Sequence, residues 1–172
     1  SVFQCPSQPG GDLNYGGQGG YQPSNYNGNV GTNTFNSNEC DTMTSPCFSA
    51  DGIFFMNSSV RMRDITDGLS NTLMVMEVQT KLSANMQGDD RKYNFSEGGD
   101  GNPPTDISEY LIGAELNDPI NSGTTECVGS FHTSGCHVLF SDGSVRFLSE
   151  DLNMTIFQSL STRDGLEIMS EF

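Results

Sequence analysis

The side chains able to do chemistry in this sequence are few and scattered. There are two histidines, His132 and His137, five cysteines at positions 5, 40, 47, 127 and 136, and twenty-two Asp and Glu against seven Lys and Arg. A Ser–His–Asp arrangement would have to combine Ser130, Ser134 or Ser141 with one of these histidines and a carboxylate from far along the chain. No Gly-x-Ser-x-Gly elbow, His-Glu-x-x-His pair or phosphate-cradling glycine loop nominates a nucleophile, a catalytic metal or a nucleotide. The sequence therefore reads as that of a protein that is not an enzyme.

Ligand chemistry is the remaining possibility. Cys-x-x-Cys spacing is absent, which argues against a cysteine zinc site. Cys40 and Cys47 bracket a turn-rich segment, and Cys127 and Cys136 flank an expected hairpin. Each pair would close a short disulfide loop in an oxidising compartment, leaving Cys5 over, and five reduced thiols are the alternative. Oxygen ligands gather in two places, Asp64, Asp67 and Glu77, and Asp100, Asn102, Asp106 and Glu109. Either set suits a hard cation such as Ca2+, neither is a complete twelve-residue EF-hand loop, and a solvated acidic loop is the structural alternative. A net charge of −15 repels nucleic acid and anionic membrane surfaces.

The elements that must position these groups are read from periodicity and turn chemistry. Residues 1–50 contain no Lys or Arg, and residues 10–38 are dominated by Gly, Asn, Tyr, Gln and Ser, a composition that favours irregular loop. Tyr15, Tyr21 and Tyr26 would offer aromatic contact area there. Residues 52–57 and 60–62 read as short strands, 63–68 as a turn ended by Gly68, and 71–78 as a buried strand in which Glu77 is out of place. Residues 83–126 form a polar excursion with one short element between Ile107 and Leu116. The C-terminal part reads as a three-stranded antiparallel meander, 127–131, 137–141 and 144–149, with a type I′ turn at Asp142-Gly143. Val138 and Phe140, then Val145 and Phe147, are expected on one apolar face. Asn153 to Leu160 has the spacing of a short amphipathic helix, and Gly165 is its stop signal. The whole, 1–172, is read as one domain with its sheet core in 51–80 and 127–172.

The segment from Phe131 to Phe147, containing His132, nine further residues and then Asp142-Gly143, resembles the C-terminal signature of a bacterial prepilin-like family. Cys5-Pro6-Ser7 resembles that family's Cys-Pro-Ser-Asp element, with Gln8 in place of the acidic residue. Ser24 to Asn29 resembles its Ser-Tyr-Ala-Gly-Asn element, Val60 to Glu77 its central block, and Thr162 to Glu167 its closing Thr-Arg-x-Gly-Gly-Glu. The matches run in order along nearly the whole chain.

The resemblance implies an α+β, pilin-like fold in which an antiparallel sheet with long irregular loops packs on an N-terminal helix absent from this sequence. It implies the extracytoplasmic head of a pilin-like or pseudopilin-like surface or secretion filament protein, whose partners are other subunits and whose link to the membrane is the missing helix. Pilin-like heads also carry calcium in loops, which adds to the Ca2+ reading. The resemblance carries no activity with it. In the signature, His132 and Asp142 would stand at opposite ends of a strand, on the order of 15 Å apart at ~3.3 Å per residue, too far to share one ion, so both are expected to be structural. A soluble extracellular solute- or glycan-binding module, stacking its ligand on Tyr15, Tyr21, Tyr26 and Phe48, is the alternative function.

Overall fold

The computed structural model describes residues 3–8, 24–32, 50–55, 58–79, 111–114, 118–123 and 127–165. Among these residues five strands, β1 Tyr26–Gly31, β2 Leu73–Glu77, β3 Leu111–Gly113, β4 Gly135–Phe140 and β5 Val145–Ser149, form one sheet in the order β3-β1-β2-β4-β5. Helix α1, Met154–Ser161, follows the last strand, and single 3-10 turns occupy Met62–Asp64 and Leu69–Asn71. The arrangement is α+β, but the sheet is mixed: β1 runs parallel to β3 and antiparallel to β2.

Strand β1 lies in the segment whose composition favours loop. What makes it a strand is its asparagines, which recur every second residue and are buried. Asn29 Nδ2 donates to the carbonyls of Leu73 and Ser161, each at 2.8 Å, and its Oδ1 accepts the Gly31 N–H at 2.9 Å. Asn25 Nδ2 donates to the Val78 carbonyl at 3.1 Å, and its Oδ1 accepts the Cys5 N–H at 2.9 Å. Amide side chains thus satisfy backbone groups that would otherwise be buried unpaired. Gly28 leaves room for the Phe54 ring, since a Cβ there would lie 2.7 Å from Phe54 Cδ2.

The meander takes a different form from the expected one. Residues 127–131 supply only a bridge, Val128 to Val78, and β2 is the neighbour of β4 on the side away from β5. The hairpin loop has three residues, Ser141 to Gly143, closed by Phe140 N–H to Ser144 O at 2.9 Å and Gly143 N–H to Phe140 O at 3.0 Å. Gly143 alone of the Asp142-Gly143 pair has positive φ, 86°, as a three-residue loop with a glycine bulge requires. That extra residue slips the register, pairing Leu139 with Val145 and Val138 with Arg146. Val138 and Phe140 therefore face one side of the sheet and Val145 and Phe147 the other. Residues 52–55 and 60–62 form no strand; Gly52, Ile53 and Phe54 instead donate backbone N–H groups to Val30 and Asn29 carbonyls.

On the first face Phe157 and Leu160 of α1 pack with Leu73, Met76, Cys136, Val138, Phe140 and Leu148. Asn153 caps the helix by accepting the Thr155 N–H at 2.8 Å. On the second face one row of residues, Leu111, Gly28, Val75, Leu139 and Val145, crosses all five strands. Phe54 and Phe55 cover the β3–β1 end of that face together with Val30 and Ala50. At the β5 end Val145 is 64% and Phe147 47% exposed.

Candidate functional site

Where β2 ends, three distant segments meet. Glu77 closes β2 and is 3% exposed. The Val78–Val128 bridge and the Gly129 N–H, which donates to the Glu77 carbonyl at 2.9 Å, bring residues 128–130 alongside. Ser130 then fastens the loop that carries His132: its Oγ donates to the Gly135 carbonyl at 2.8 Å and accepts the His132 N–H at 3.0 Å. The third segment, residues 3–8, is tied down by Asn25 through Cys5 N–H, Phe3 carbonyl and Gln8 side chain.

The result is a buried carboxylate ringed by imidazoles and a thiol. His132 Nε2 lies 3.5 Å from Glu77 Oε1 and 3.4 Å from Cys5 Sγ, and its Nδ1 lies 3.1 Å from Ser7 Oγ. Glu77 Oε2 accepts the His137 backbone N–H at 2.6 Å and lies 3.6 Å from His137 Nδ1. The two imidazoles meet edge to face at 4.8 Å, and His137 does the same with Phe147 at 5.2 Å. The ion-pair partners of Glu77 among the described residues are these two histidines, with no Lys or Arg beside it.

Burial and the nearby Glu77 charge push the Cys5 thiol up, with the Ser7 N–H on the sulfur opposing them. Burial likewise raises Tyr26, which pairs with Glu77 across the β1–β2 ladder. Cys136 is pushed up to about 12 by burial first and then by Glu77 and Cys127. Cys5, Glu77 and His132 each offer a ligand atom, and the three atoms lie within 4.8 Å of one another.

The residues singled out from sequence fall in different places. Asp142 and Gly143 turn the chain beyond the far end of β4 from His132. The Ser144 hydroxyl, and then its N–H, which Asp142 Oδ1 accepts at 2.8 Å, hold the Asp142 carboxyl below the usual range. Asp64, Asp67 and Glu77 do not converge. Asp64 pairs with Arg61 at 2.8 Å, which lowers its pKa to about 2, whereas Asp67 accepts from the Thr162 hydroxyl at 3.3 Å and the Gly165 N–H at 2.8 Å. Cys5, Cys127 and Cys136 are buried thiols, so the Cys127–Cys136 bridge is not made. Cys40, Cys47, Tyr15, Tyr21, Phe48, Asp100, Asn102, Asp106 and Glu109 lie outside the described residues. Sequence spacing does not bring Cys5, Glu77 and His132 together, although each carries its own signal: a carboxylate in an apolar strand, and a Cys and a His inside segments that resemble family elements.

An α+β domain whose described residues form a mixed five-stranded sheet, one short helix and a buried Cys–Glu–His cluster is the class this architecture defines. The family described as "Protein of unknown function (DUF1559)" matches residues 1–155, and the chain belongs to it. No curated protein and no solved structure matches the chain. The matched span includes all three residues of the cluster and the Asp142-Gly143 turn.

Proposed function

We propose that this chain is the outward-facing head of a pilin-like or pseudopilin-like filament protein, with a structural or interaction role rather than a catalytic one. The observation that carries the reading is the half-covered second face of the sheet. Leu139, Val145 and Phe147 form an apolar strip at its β4–β5 end, with Val145 64% and Phe147 47% exposed. A single exposed apolar residue needs no explanation, but a continuous strip on a sheet is a packing surface. Residues 3–8 run beside the cluster whose His137 packs on Phe147, which puts the segment that a preceding helix would join near this strip. In this reading the protein is extracytoplasmic, its partners are other pilin-like subunits, and its membrane contact is that helix alone.

The test is the full-length gene product. A leader ending in Gly, followed by Phe-Thr-Leu-x-Glu and an apolar helix, cleaved by a prepilin peptidase, is expected. In that context Phe147→Glu should lower recovery in sheared filaments while the head keeps its melting temperature. An ordinary cleaved signal peptide yielding a monomer refutes the proposal and favours a secreted binding module.

A further inference from the structure

We propose that Cys5, Glu77 and His132 are the protein ligands of a zinc-type metal ion, with the fourth coordination position taken by water or a small ligand. The inference does not depend on the filament reading. Its basis is the spacing of the ligand atoms. Tetrahedral zinc with Zn–S of ~2.3 Å and Zn–N and Zn–O of ~2.0–2.1 Å places neighbouring ligand atoms about 3.3–3.6 Å apart. The S–N and N–O separations here are 3.4 and 3.5 Å, edges of such a tetrahedron.

The orientation of His132 separates a metal site from a nucleophile–base–acid relay. In a catalytic triad the imidazole takes the nucleophile on one nitrogen and the carboxylate on the other. Here Cys5 and Glu77 both face Nε2, and Nδ1 is occupied by Ser7 Oγ at 3.1 Å. When Nδ1–H donates to Ser7, the Nε2 lone pair points into the cluster, the tautomer a metal selects, with Ser7 as the outer partner that fixes the ring. His137 holds the other carboxylate oxygen through its backbone N–H at 2.6 Å.

The charge balance points the same way. Among the described residues Glu77 has no Lys or Arg beside it, and a buried carboxylate in such surroundings calls for a cation or a proton. A divalent ion bound between the three ligand atoms would balance both the Glu77 carboxylate and a Cys5 thiolate. On binding, the thiol S–H breaks, its proton goes to solvent and the sulfur lone pair forms the metal bond, with no change of oxidation state. A thiolate and an imidazole select zinc over calcium, because soft and borderline ligands suit it and Ca2+ takes oxygen.

Reduced, chelator-stripped chain titrated with Co2+ should bind one equivalent. The complex should show sulfur-to-cobalt charge-transfer absorption and the intense visible bands of a tetrahedral site, both removed by Zn2+ and unaffected by Ca2+. Ser7→Ala should weaken binding ~10–100-fold, as outer partners of ligating histidines do, and Cys5→Ser should abolish the charge-transfer band. In case Cys5→Ser fails to fold, zinc-edge X-ray absorption of the wild-type chain reads the ligands directly: one sulfur at ~2.3 Å with nitrogen and oxygen is expected. No binding, a zinc shell with no sulfur or several, or a charge-transfer band that survives Cys5→Ser overturns the proposal.

Discussion

Replacing Asn29 by Ala removes a side chain that joins β1 to both β2 and the end of α1. Three backbone groups lose their partners at once: the carbonyls of Leu73 and Ser161 and the N–H of Gly31. The site is fully buried, so water does not replace the amide without opening the fold. An unsatisfied buried backbone group costs about 1–3 kcal/mol, and with partial relaxation the three together should cost about 3–5 kcal/mol. Against a domain stability of ~5–15 kcal/mol this is a large fraction. Asn29→Asp keeps the acceptor for Gly31 but neither donor, and adds a buried charge, so it should cost at least as much. Equilibrium urea unfolding followed by circular dichroism and fluorescence reads the loss as a lowered midpoint at unchanged slope. A loss under about 1 kcal/mol would mean that the backbone ladder holds β1 unaided, and the argument from buried amides would fail.

Three further outcomes are expected. Gly135→Ala places a methyl on the Leu148 carbonyl oxygen and 2.8 Å from the Phe147 ring; because the first obstacle is backbone, a loss of about 1–3 kcal/mol or more should appear in the same urea assay. The Asp64 pKa lies at about 2, below its ordinary 3.8, because Arg61 bonds its charged form. Between these values the unfolded chain binds more protons, so this contribution is complete above pH 3.8 and is lost as pH falls through about 2; Asp64→Asn should flatten the decline in urea midpoint over that range. Cys136, fully buried and pushed up to about 12, should resist iodoacetamide at neutral pH until the chain unfolds, which peptide mapping of the alkylated sites will show.

The parts of the fold legible in the sequence are those that apolar pattern alone determines. Strand β2 is a dense apolar run, β4 and β5 alternate, and α1 has helical spacing with an Asn cap, so each was placed close to its position. Strand β1 was not, because Tyr26-Asn27-Gly28-Asn29 has the composition of a turn and becomes a strand only through carbonyls that other elements bring to it. The hairpin was located correctly but its faces were not. One residue in the loop decides which side Val145 and Phe147 occupy, and Asp-Gly is compatible with loops of two residues or three. The cluster was hidden for a different reason. Its members are separated by long stretches of chain, and local spacing rules see only ligands that are neighbours in sequence.

The bond from Asn29 to the Ser161 carbonyl spans 132 residues, and the contact of Cys5 with His132 spans 127. During synthesis the asparagine strand leaves the ribosome long before the helix that accepts its amide, and an early segment with neither apolar pattern nor partner has nothing to fold onto. Closing such long loops is slow and costs chain entropy before any contact repays it. Residues 5 and 29 therefore reach their final contacts only after residues 132 and 161 have been made, so the order of synthesis leaves the sheet and the cluster to close late.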